Sequence, residues 1–247
     1  MGRFDNRVVA VTGGASGFGE AICRRLASEG ARVAIIDLDG TLAEKLAGQL
    51  PDAKAYASDV TNPARIARTF ADIVEDFGEL DGAVNNAGVG GPFVPSADYP
   101  LDWWDKTIAV NLNGVFYALR AEIPHLIANG GGAIVNMGSI CGFVGQPGTT
   151  AYVATKHAVI GMTKNVALEY GREGIRCTAV CPTYARTPLT QAGLPNEADW
   201  EPLKERHATG RCTTPAEVAA LTAFLLSDDA KSITGSAHLV DGGITAA

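Results

Sequence analysis

The sequence predicts an α/β fold, in which a doubly wound sheet of seven mostly parallel strands carries helices on both faces. Three observations lead to this prediction. Seven short apolar runs alternate with six segments of helical periodicity, the first run passes through a glycine-rich turn into a helix, and no composition break divides the chain. Alternation of this kind implies parallel strands joined by right-handed crossovers, so residues 1–247 are expected to form a single domain.

The strands are placed by short runs of β-branched and other apolar residues, which are typical of strands buried on both faces of a sheet. Glycine, asparagine or aspartate follows several of these runs, as expected where a strand ends. The predicted strands are Val8–Val11, Arg32–Ile36, a short run before Asp59, Leu80–Val84, Ala133–Val135, Arg176–Val180 and Ser236–Val240.

The helices are placed by apolar periodicity together with start and stop signals. Thr61 and Asn62 before Pro63 are typical of a helix start, and Thr214 to Glu217 forms a capping box. The segment 188–209 lacks such periodicity and mixes prolines with charges, so it is predicted to be a mobile flap. The predicted helices are Glu20–Glu29, Leu42–Leu50, Pro63 to Gly78, Leu101–Ala128, Thr149–Tyr170 and Pro215–Leu226.

Composition excludes several classes of protein. The net charge is −7 and no basic cluster is present, so neither a nucleic acid nor an anionic membrane is expected as a partner. The five cysteines are odd in number and contain no C-x-x-C pair, which argues against disulfides and a structural zinc site. A strand-like run begins at Arg7 and no apolar stretch reaches membrane-spanning length. A cytoplasmic protein without a metal is expected.

A glycine-rich turn follows the first predicted strand. Thr12 to Gly19 reads T-G-G-A-S-G-F-G and runs directly into a helix. Glycines allow a tight turn and a close backbone approach to a pyrophosphate, and the helix start supplies N–H groups with positive potential. A flexible hairpin is the alternative, and the helix that follows argues against it.

An acidic residue ends the second predicted strand. Asp37 lies 18 residues after Gly19, where a dinucleotide fold places the carboxylate that binds the adenosine ribose hydroxyls. No Arg or Lys adjoins Asp37, so a 2′-phosphate would meet an unpaired negative charge. NAD is therefore predicted in preference to NADP. A helix-capping role for Asp37 is compatible with this one.

Amide side chains appear at two further positions. Asn85-Asn86-Ala87-Gly88 ends the fourth strand, at the edge of the sheet where ligands bind, although an Asx turn would use the same residues. Asn111 lies inside an apolar helical segment, where its amide needs a partner. A local hydrogen bond in the core is the alternative to a functional role.

A phenol, an ammonium and a hydroxyl are predicted to meet near the fifth strand. Tyr152 and Lys156 are four residues apart, so they share one face of a helix. Ser139 follows the preceding strand, at the same edge of the sheet. Three such groups at one place are suited to acid–base chemistry on an oxygen atom.

Taken in order, T-G-x-x-x-G-x-G, N-N-A-G, Asn111, Ser139 and Y-x-x-x-K resemble the short-chain dehydrogenase/reductase family in its short single-domain branch. The resemblance extends from about residue 6 to 243. It implies a seven-stranded Rossmann-type sheet, a nicotinamide cofactor, a homotetramer and a site of Asn111, Ser139, Tyr152 and Lys156. The expected cofactor-binding residues are Gly13, Ser16, Gly17, Phe18, Gly19, Asp37, Leu38, Asp59, Val60, Asn86, Ala87, Gly88, Tyr152, Lys156, Pro182 and Thr187.

The expected reaction is hydride transfer between NAD and a secondary alcohol or ketone. Tyr152 would take the alcohol proton, and Lys156 would lower the pKa of Tyr152 and bind the ribose. Ser139 would hold the substrate oxygen, and Asn111 would support a proton relay. A sugar, polyol, steroid or acyl-thioester substrate at the same site is the alternative.

The expected substrate pocket is mostly apolar or uncharged, which favours a neutral alcohol and includes aryl- or ring-bearing ones. Arg186 is the arginine nearest in sequence for an anionic substrate. Thr183 stands where the family usually has Gly after Pro182, which restricts the backbone there. The expected pocket residues are Phe93, Val94, Cys141, Phe143, Gln146, Tyr184, Leu189 and Trp200.

Three other functions are compared with this one. A halohydrin dehalogenase-like lyase would carry Arg in place of Lys156 and lack the glycine loop. An NAD-sensing regulator would lack the Tyr–Lys pair. A serine hydrolase would need a G-x-S-x-G elbow, which the sequence does not contain.

Overall fold

The computed structural model describes residues 2–246. Its sheet has seven strands in the order β3-β2-β1-β4-β5-β6-β7, and every pairing is parallel. The chain winds outward from β1 in one direction and from β4 in the other, so the predicted doubly wound, Rossmann-like α/β fold is confirmed. The strands are β1 Val8–Thr12, β2 Arg32–Asp37, β3 Ala53–Ala57, β4 Gly82–Asn85, β5 Gly132–Met137, β6 Ile175–Pro182 and β7 Ala237–Val240.

Helices cover both faces of the sheet because the central strands are apolar on both sides. One core layer joins α1 and α9 to the sheet, and the other joins α3, α5 and α6. The helices are α1 Gly17–Ser28, α2 Gly40–Ala47, α3 Pro63–Phe77, α4 Leu101–Ile108, α5 Gly114–Ala128, α6 Thr150–Tyr170, α7 Pro188–Gln191, α8 Glu201–Arg206 and α9 Pro215–Leu226.

The predicted helix starts are present at α3 and α9. Asn62 Oδ1 accepts hydrogen bonds from the backbone N–H groups of Ala64 and Arg65, at 3.1 and 3.0 Å. Thr214 Oγ1 accepts from Glu217 N, and the Glu217 carboxylate accepts from Thr214 N at 2.9 Å. These side chains satisfy N–H groups that a helix start leaves without partners.

The prediction of one continuous helix over Leu101–Ala128 is wrong at its centre. A π-helical turn, Ala109–Asn113, separates α4 from α5, and Gly114 N bonds back to Ala109 O across it. The turn contains Asn111, whose side chain is fully buried and bonded outside the helix. Such π turns are frequent at functional sites.

The segment 188–209 contains two short helices, α7 and α8, where irregular chain was predicted. Trp200 is only 1% exposed, and its indole N–H donates to Leu194 O at 3.1 Å. The Arg186 guanidinium lies 4.6 Å from the centre of the Trp200 ring and pairs with the Glu197 carboxylate at 2.6 Å. These contacts hold the buried Trp200 ring in place within the segment. Within residues 2–246, no helix combines the length and apolar character needed to cross a membrane.

Candidate active site

A cleft of about 430 Å³ opens at the carboxyl ends of the strands. It brings together three of the four predicted catalytic residues and fifteen of the sixteen predicted cofactor residues, with Tyr152 and Lys156 in both sets. Gly19 lies behind the cleft. The predicted residues that line it are Gly13, Ser16, Gly17, Phe18, Asp37, Leu38, Asp59, Val60, Asn86, Ala87, Gly88, Ser139, Tyr152, Lys156, Pro182, Thr187 and Leu189.

The glycine loop approaches its neighbours too closely for side chains. At Gly13, φ is 59° and an added Cβ would lie 2.8 Å from Ala87 Cα. A Cβ on Gly19 would lie 1.9 Å from Gly13 O, so the first turn of α1 can pack against the loop only without a side chain there. At Gly17, φ is 56° and an added Cβ would lie 3.3 Å from Thr187 Cβ. The loop thus contacts both the end of β4 and the chain after β6.

Asn86 and Thr12 fasten the glycine loop to β4. Asn86 Nδ2 donates to Thr12 O and Gly13 O, at 3.0 and 2.9 Å. Thr12 Oγ1 accepts from the backbone N–H groups of Asn86 and Ala87, at 3.0 and 3.2 Å. Through these bonds the Asn86 side chain holds the glycine loop in position against the end of β4.

Two carboxylates in the cleft are held by nearby backbone groups. Asp37 accepts from Ala15 N at 2.9 Å and Asp39 N at 3.0 Å. Asp59 Oδ1 accepts from Thr61 N and Thr61 Oγ1, both at 2.8 Å. Each carboxylate keeps lone pairs for a ligand hydroxyl, because an ionised carboxylate has about four acceptor sites.

Ser139, Tyr152 and Lys156 form one corner of the cleft. Lys156 Nζ lies 5.4 Å from the centre of the Tyr152 ring and donates to Met137 O at 2.7 Å. Ser139 Oγ accepts from Cys141 N at 3.2 Å and lies beside the Tyr152 phenol at the same corner. The hydroxyl, phenol and ammonium are therefore neighbours, as their positions after β5 and on α6 predict.

Burial controls the protonation of this corner. It raises the pKa of Tyr152, although part of the side chain stays exposed, and the nearby Ser139 hydroxyl opposes this rise only partly. It also lowers the pKa of Lys156 to about 8. The net shift of the Tyr152 pKa is upward, because loss of hydration disfavours the charged form of both groups, and a lowering of that pKa by Lys156 stays a prediction.

Asn111 reaches the site through backbone contacts. Its Oδ1 accepts from Val89 N and its Nδ2 donates to Val89 O, both at 2.8 Å. Val89 follows the N-N-A-G stretch and lines the cleft. The Asn111 amide thus positions the loop that contains Val89. These are local hydrogen bonds of the kind that the sequence analysis gave as the alternative to a functional role for Asn111.

Comparisons with known proteins match this geometry. The family model described as "Enoyl-(Acyl carrier protein) reductase" matches residues 13–245. Cyclohexanol dehydrogenase of Acinetobacter sp. (strain SE19) is 39% identical, over 98% of this chain and 96% of the relative. This chain belongs to the short-chain dehydrogenase/reductase family.

Other members of the family agree in sequence and in structure. Meso-2,3-butanediol dehydrogenase of Serratia marcescens is 39% identical over 99% of this chain and 96% of its own length. The crystal structure of 3-ketoacyl-(acyl-carrier-protein) reductase from Brucella melitensis, complexed with NADH, superposes with a TM-score of 0.91. It is 34% identical and covers 98% of this chain and 99% of that one.

Most of the predicted substrate residues lie outside this cleft. Leu189 lines it, whereas Phe93 and Phe143 are 62% and 46% exposed on loops. Trp200 is buried and bonded to Leu194 O within segment 188–209, and Val94 lies beside Gly148 through a backbone hydrogen bond.

Three predicted substrate residues do cluster beside Tyr152. Cys141 Sγ donates to Gln146 Oε1 at 3.0 Å. Burial raises the pKa of Tyr184, and the positive charge of the nearby Arg206 guanidinium and the neighbouring Gln146 amide oppose that rise. Burial also raises the pKa of the Cys141 thiol, which disfavours its use as a nucleophile. Gln146, Tyr184 and Arg206 thus form a polar wall beside Tyr152. Arg206 was not predicted from the sequence, and Arg186, the arginine considered for an anionic substrate, is paired with Glu197.

The departure at Thr183 causes no backbone strain, because its φ is not positive. Thr183 N donates to Val240 O at 3.2 Å, and Thr183 Oγ1 lies 3.2 Å from His207 Nε2.

Most of the cleft-lining residues that the sequence analysis did not predict are next to a predicted motif in the sequence, but no sequence feature pointed to Lys106 on α4. The missed residues are Ser58, Val89, Lys106, Val110, Met137, Gly138, Thr183, Pro188 and Thr190.

Proposed function

We propose that this protein is an NAD-dependent dehydrogenase or ketone reductase that transfers a hydride between NAD and a neutral secondary alcohol or its ketone. The observation that carries the proposal is the Ser139–Tyr152–Lys156 corner, which opens into the same cleft as the glycine loop. The names of the cyclohexanol and butanediol dehydrogenases support a secondary alcohol. The whole chain would act as one cytoplasmic catalytic domain, with 188–209 as its substrate flap.

The cleft fits a dinucleotide. Gly13 and Gly17 leave a cradle that Cβ atoms would fill, and the start of α1 directs N–H groups into it. When bound, NAD supplies the carbon that accepts the hydride and a positive charge on its ring. The residues of this chain then have to bind the alcohol, hold its oxygen and remove its proton.

Tyr152 takes that proton and Ser139 holds the oxygen. The Ser139 hydroxyl beside the phenol favours the phenolate, against the larger opposing effect of burial. Lys156 is 5% exposed, and its ammonium next to Tyr152 would offset the negative charge of the phenolate. Lys156 Nζ would also bind the ribose, and the π turn around Asn111 would support the relay that carries the proton out.

NAD is proposed in preference to NADP because of Asp37. Its carboxylate lies at the end of β2, bonded only to backbone N–H groups. A ribose with free hydroxyls can donate to it, whereas a 2′-phosphate would repel it.

A polyol or diol is the second candidate substrate. The polar wall of Gln146, Tyr184 and Arg206 could bind a further oxygen of such a molecule. Turnover measured for cyclohexanol, a vicinal diol and a sugar alcohol, with NAD in each case, separates the two candidates.

Kinetics of Tyr152→Phe tests the reaction. Loss of the general base should reduce turnover by about 10²–10⁴-fold, with NAD affinity retained. Tyr170→Phe, at the far end of α6, is the control and should keep parental turnover. If Tyr152→Phe turns over within tenfold of the parent, Tyr152 is not the base.

A homotetramer is proposed as the assembly. Apolar side chains lie exposed on α4, α5 and α6, the helices that the resemblance implies pack against a neighbour: Leu101, Trp104, Phe116 and Leu168 are 80%, 37%, 52% and 86% exposed. Light scattering should show that Leu168→Glu shifts the protein toward smaller species. Leu42→Glu on α2 should not, and equal masses for both variants would count against this interface.

A further inference from the structure

A row of buried polar side chains runs behind the cleft and links four elements. Glu122 on α5, Asn85 on β4, Asn136 on β5 and Thr163 on α6 are each at most 2% exposed. Asn85 and Asn136 are direct partners in the pairing of β4 with β5. None of these side chains belongs to the cleft lining.

The hydrogen bonds fix the orientation of each amide in this row. The Thr163 hydroxyl donates its one proton to Val159 O at 2.8 Å, so it can only accept from Asn136 Nδ2, at 3.0 Å. Asn136 Oδ1 is then left to accept from Asn85 Nδ2, at 2.9 Å. Asn85 therefore presents its NH₂ group to this row.

The contact between Asn85 and Glu122 makes one hydrogen bond and leaves one oxygen atom of each side chain without a partner. Asn85 Nδ2 also donates to Glu122 Oε1, at 3.0 Å. Asn85 Oδ1 and Glu122 Oε2 are buried and have no hydrogen-bond partner. Both are acceptors when the carboxyl is ionised, and a buried acceptor without a donor costs about 1–3 kcal/mol. A proton on Glu122 Oε2 supplies the missing donor for both.

We propose that Glu122 is held as a neutral carboxylic acid that donates to Asn85 Oδ1, closing a two-point acid–amide pair that positions the ends of β4 and β5. The pair has the pattern of an amide–acid dimer, with one N–H···O and one O–H···O bond. Glu122 is thus a positioning residue and does not touch the reacting atoms.

The surroundings of Glu122 favour the neutral form. Burial raises its pKa to about 8, and only the Asn85 bond opposes this. The titratable side chain nearest to it on β6 is the Cys177 thiol, whose own pKa burial raises. The helix α3, which packs on α5, buries apolar side chains such as Phe70 and the hydroxyl of Thr69. None of these elements brings a cation to the carboxyl.

The pair acts on the cleft through its neighbours in sequence. Asn85 precedes Asn86, whose side chain holds the glycine loop. Asn136 lies on the strand that leads to Ser139, and Thr163 on the helix that carries Tyr152 and Lys156. Ionisation of Glu122 would open the pair, so cofactor affinity should fall as pH rises through about 8.

Glu122→Gln tests the pairing because glutamine can make the same two bonds without titrating. Since the folded-state pKa is raised from 4.5 to about 8, the parent should lose stability as pH rises across that interval. Relative to Glu122→Gln, its unfolding constant should increase by up to about tenfold per pH unit and then level off. The dissociation constant for NAD should rise above pH 8 more steeply in the parent than in Glu122→Gln, since both keep Lys156, whose own pKa is about 8.

Glu122→Leu is the second variant, because it fills the site without either bond and should be destabilised at every pH. If Glu122→Gln loses as much stability as Glu122→Leu at pH 6, or if the parent and Glu122→Gln show the same pH dependence, the acid–amide pair is refuted. Infrared spectroscopy of the folded protein gives a check that does not depend on unfolding measurements. The parent at pH 6 should show the band of a buried carboxylic acid, and Glu122→Gln should lack it. The stability and infrared measurements need no turnover, so they separate this proposal from the proposed function, on which only the NAD readout depends.

Discussion

The two sides of the cleft are built in different ways. On the side proposed for the cofactor, backbone groups and short side chains at strand ends are fixed by hydrogen bonds of 2.8–3.2 Å around Gly13, Asp37 and Asn86. On the side proposed for the substrate, side chains remain partly exposed to solvent: Phe93, Phe143 and Leu189 are 62%, 46% and 45% exposed.

This difference shows how the sheet constrains one side more than the other. The ends of β1, β2 and β4 are neighbours in a parallel sheet, so strand pairing determines where their following residues lie. Phe93, Phe143 and Leu189 lie several residues beyond the ends of β4, β5 and β6, where strand pairing no longer determines the position of the chain. A reaction shared across a family can thus stay fixed while the substrate varies.

The strongest test of this contrast is Gly19→Ala. The added Cβ would lie 1.9 Å from a backbone oxygen, which cannot move without displacing the glycine loop. Overpacking typically costs about 1–3 kcal/mol, and more is expected against rigid backbone. NAD affinity, measured by calorimetry, should fall by at least about tenfold.

Gly161→Ala on α6 is the matched control, because its Cβ would meet nothing within 4 Å. Alanine is favoured over glycine inside a helix by about 0.5–1 kcal/mol, so this variant should be slightly more stable. Equal NAD affinity in both variants would contradict the rigid-loop explanation.

Lys156→Met tests the corner where the two sides meet. The pKa of Lys156 is lowered from 10.5 to about 8, so between these values the unfolded chain binds the proton more strongly than the folded one. The parent should therefore gain stability as pH rises from about 8 to 10.5, by up to about 1.4 kcal/mol per unit. The stability of Lys156→Met, measured by denaturant unfolding, should not show this gain. If the variant has the same pH dependence of stability as the parent, Lys156 is not desolvated in the folded protein.

Asp37→Asn should change cofactor choice with a smaller effect. The amide oxygen can still accept from a backbone N–H, but the negative charge is gone. The ratio of kcat/KM for NAD over that for NADP should fall by about tenfold, equivalent to about 1.4 kcal/mol. Lys106→Met is the comparison, since Lys106 is a second cation in the cleft. If only Lys106→Met alters the ratio, cofactor selection does not depend on Asp37.

Phe143→Ala should have the smallest effect. The ring is 46% exposed, so its removal should cost little stability and leave the KM for NAD unchanged. The KM for a ring-bearing alcohol should rise by a few-fold, in line with the loss of about 1 kcal/mol of apolar contact. A larger change in the KM for NAD than in that for the alcohol would place Phe143 on the cofactor side.

Sequence reasoning was most successful where a local pattern has one structural solution. The glycine turn before α1, the caps of α3 and α9 and the parallel, doubly wound sheet follow from rules that involve only neighbouring residues and the handedness of crossovers. It failed at Trp200, because an aromatic residue in an irregular segment can face either a ligand or a local core. It also missed the π turn around Asn111, which is fixed by a partner 22 residues earlier in the chain.

The sequence alone determined the fold and the positions of Ser139, Tyr152 and Lys156, because strand alternation and helical spacing place them at one edge of the sheet. Tertiary structure decided their electrostatics, since the pKa of Lys156 depends on burial by distant segments. It also decided long-range contacts such as Arg176, which donates from β6 to the last carbonyls of α9. The pairing of Glu122 with Asn85 belongs to the same group. A local pattern specifies which residues are present, but only packing determines which of them lose water and which donor each buried acceptor meets.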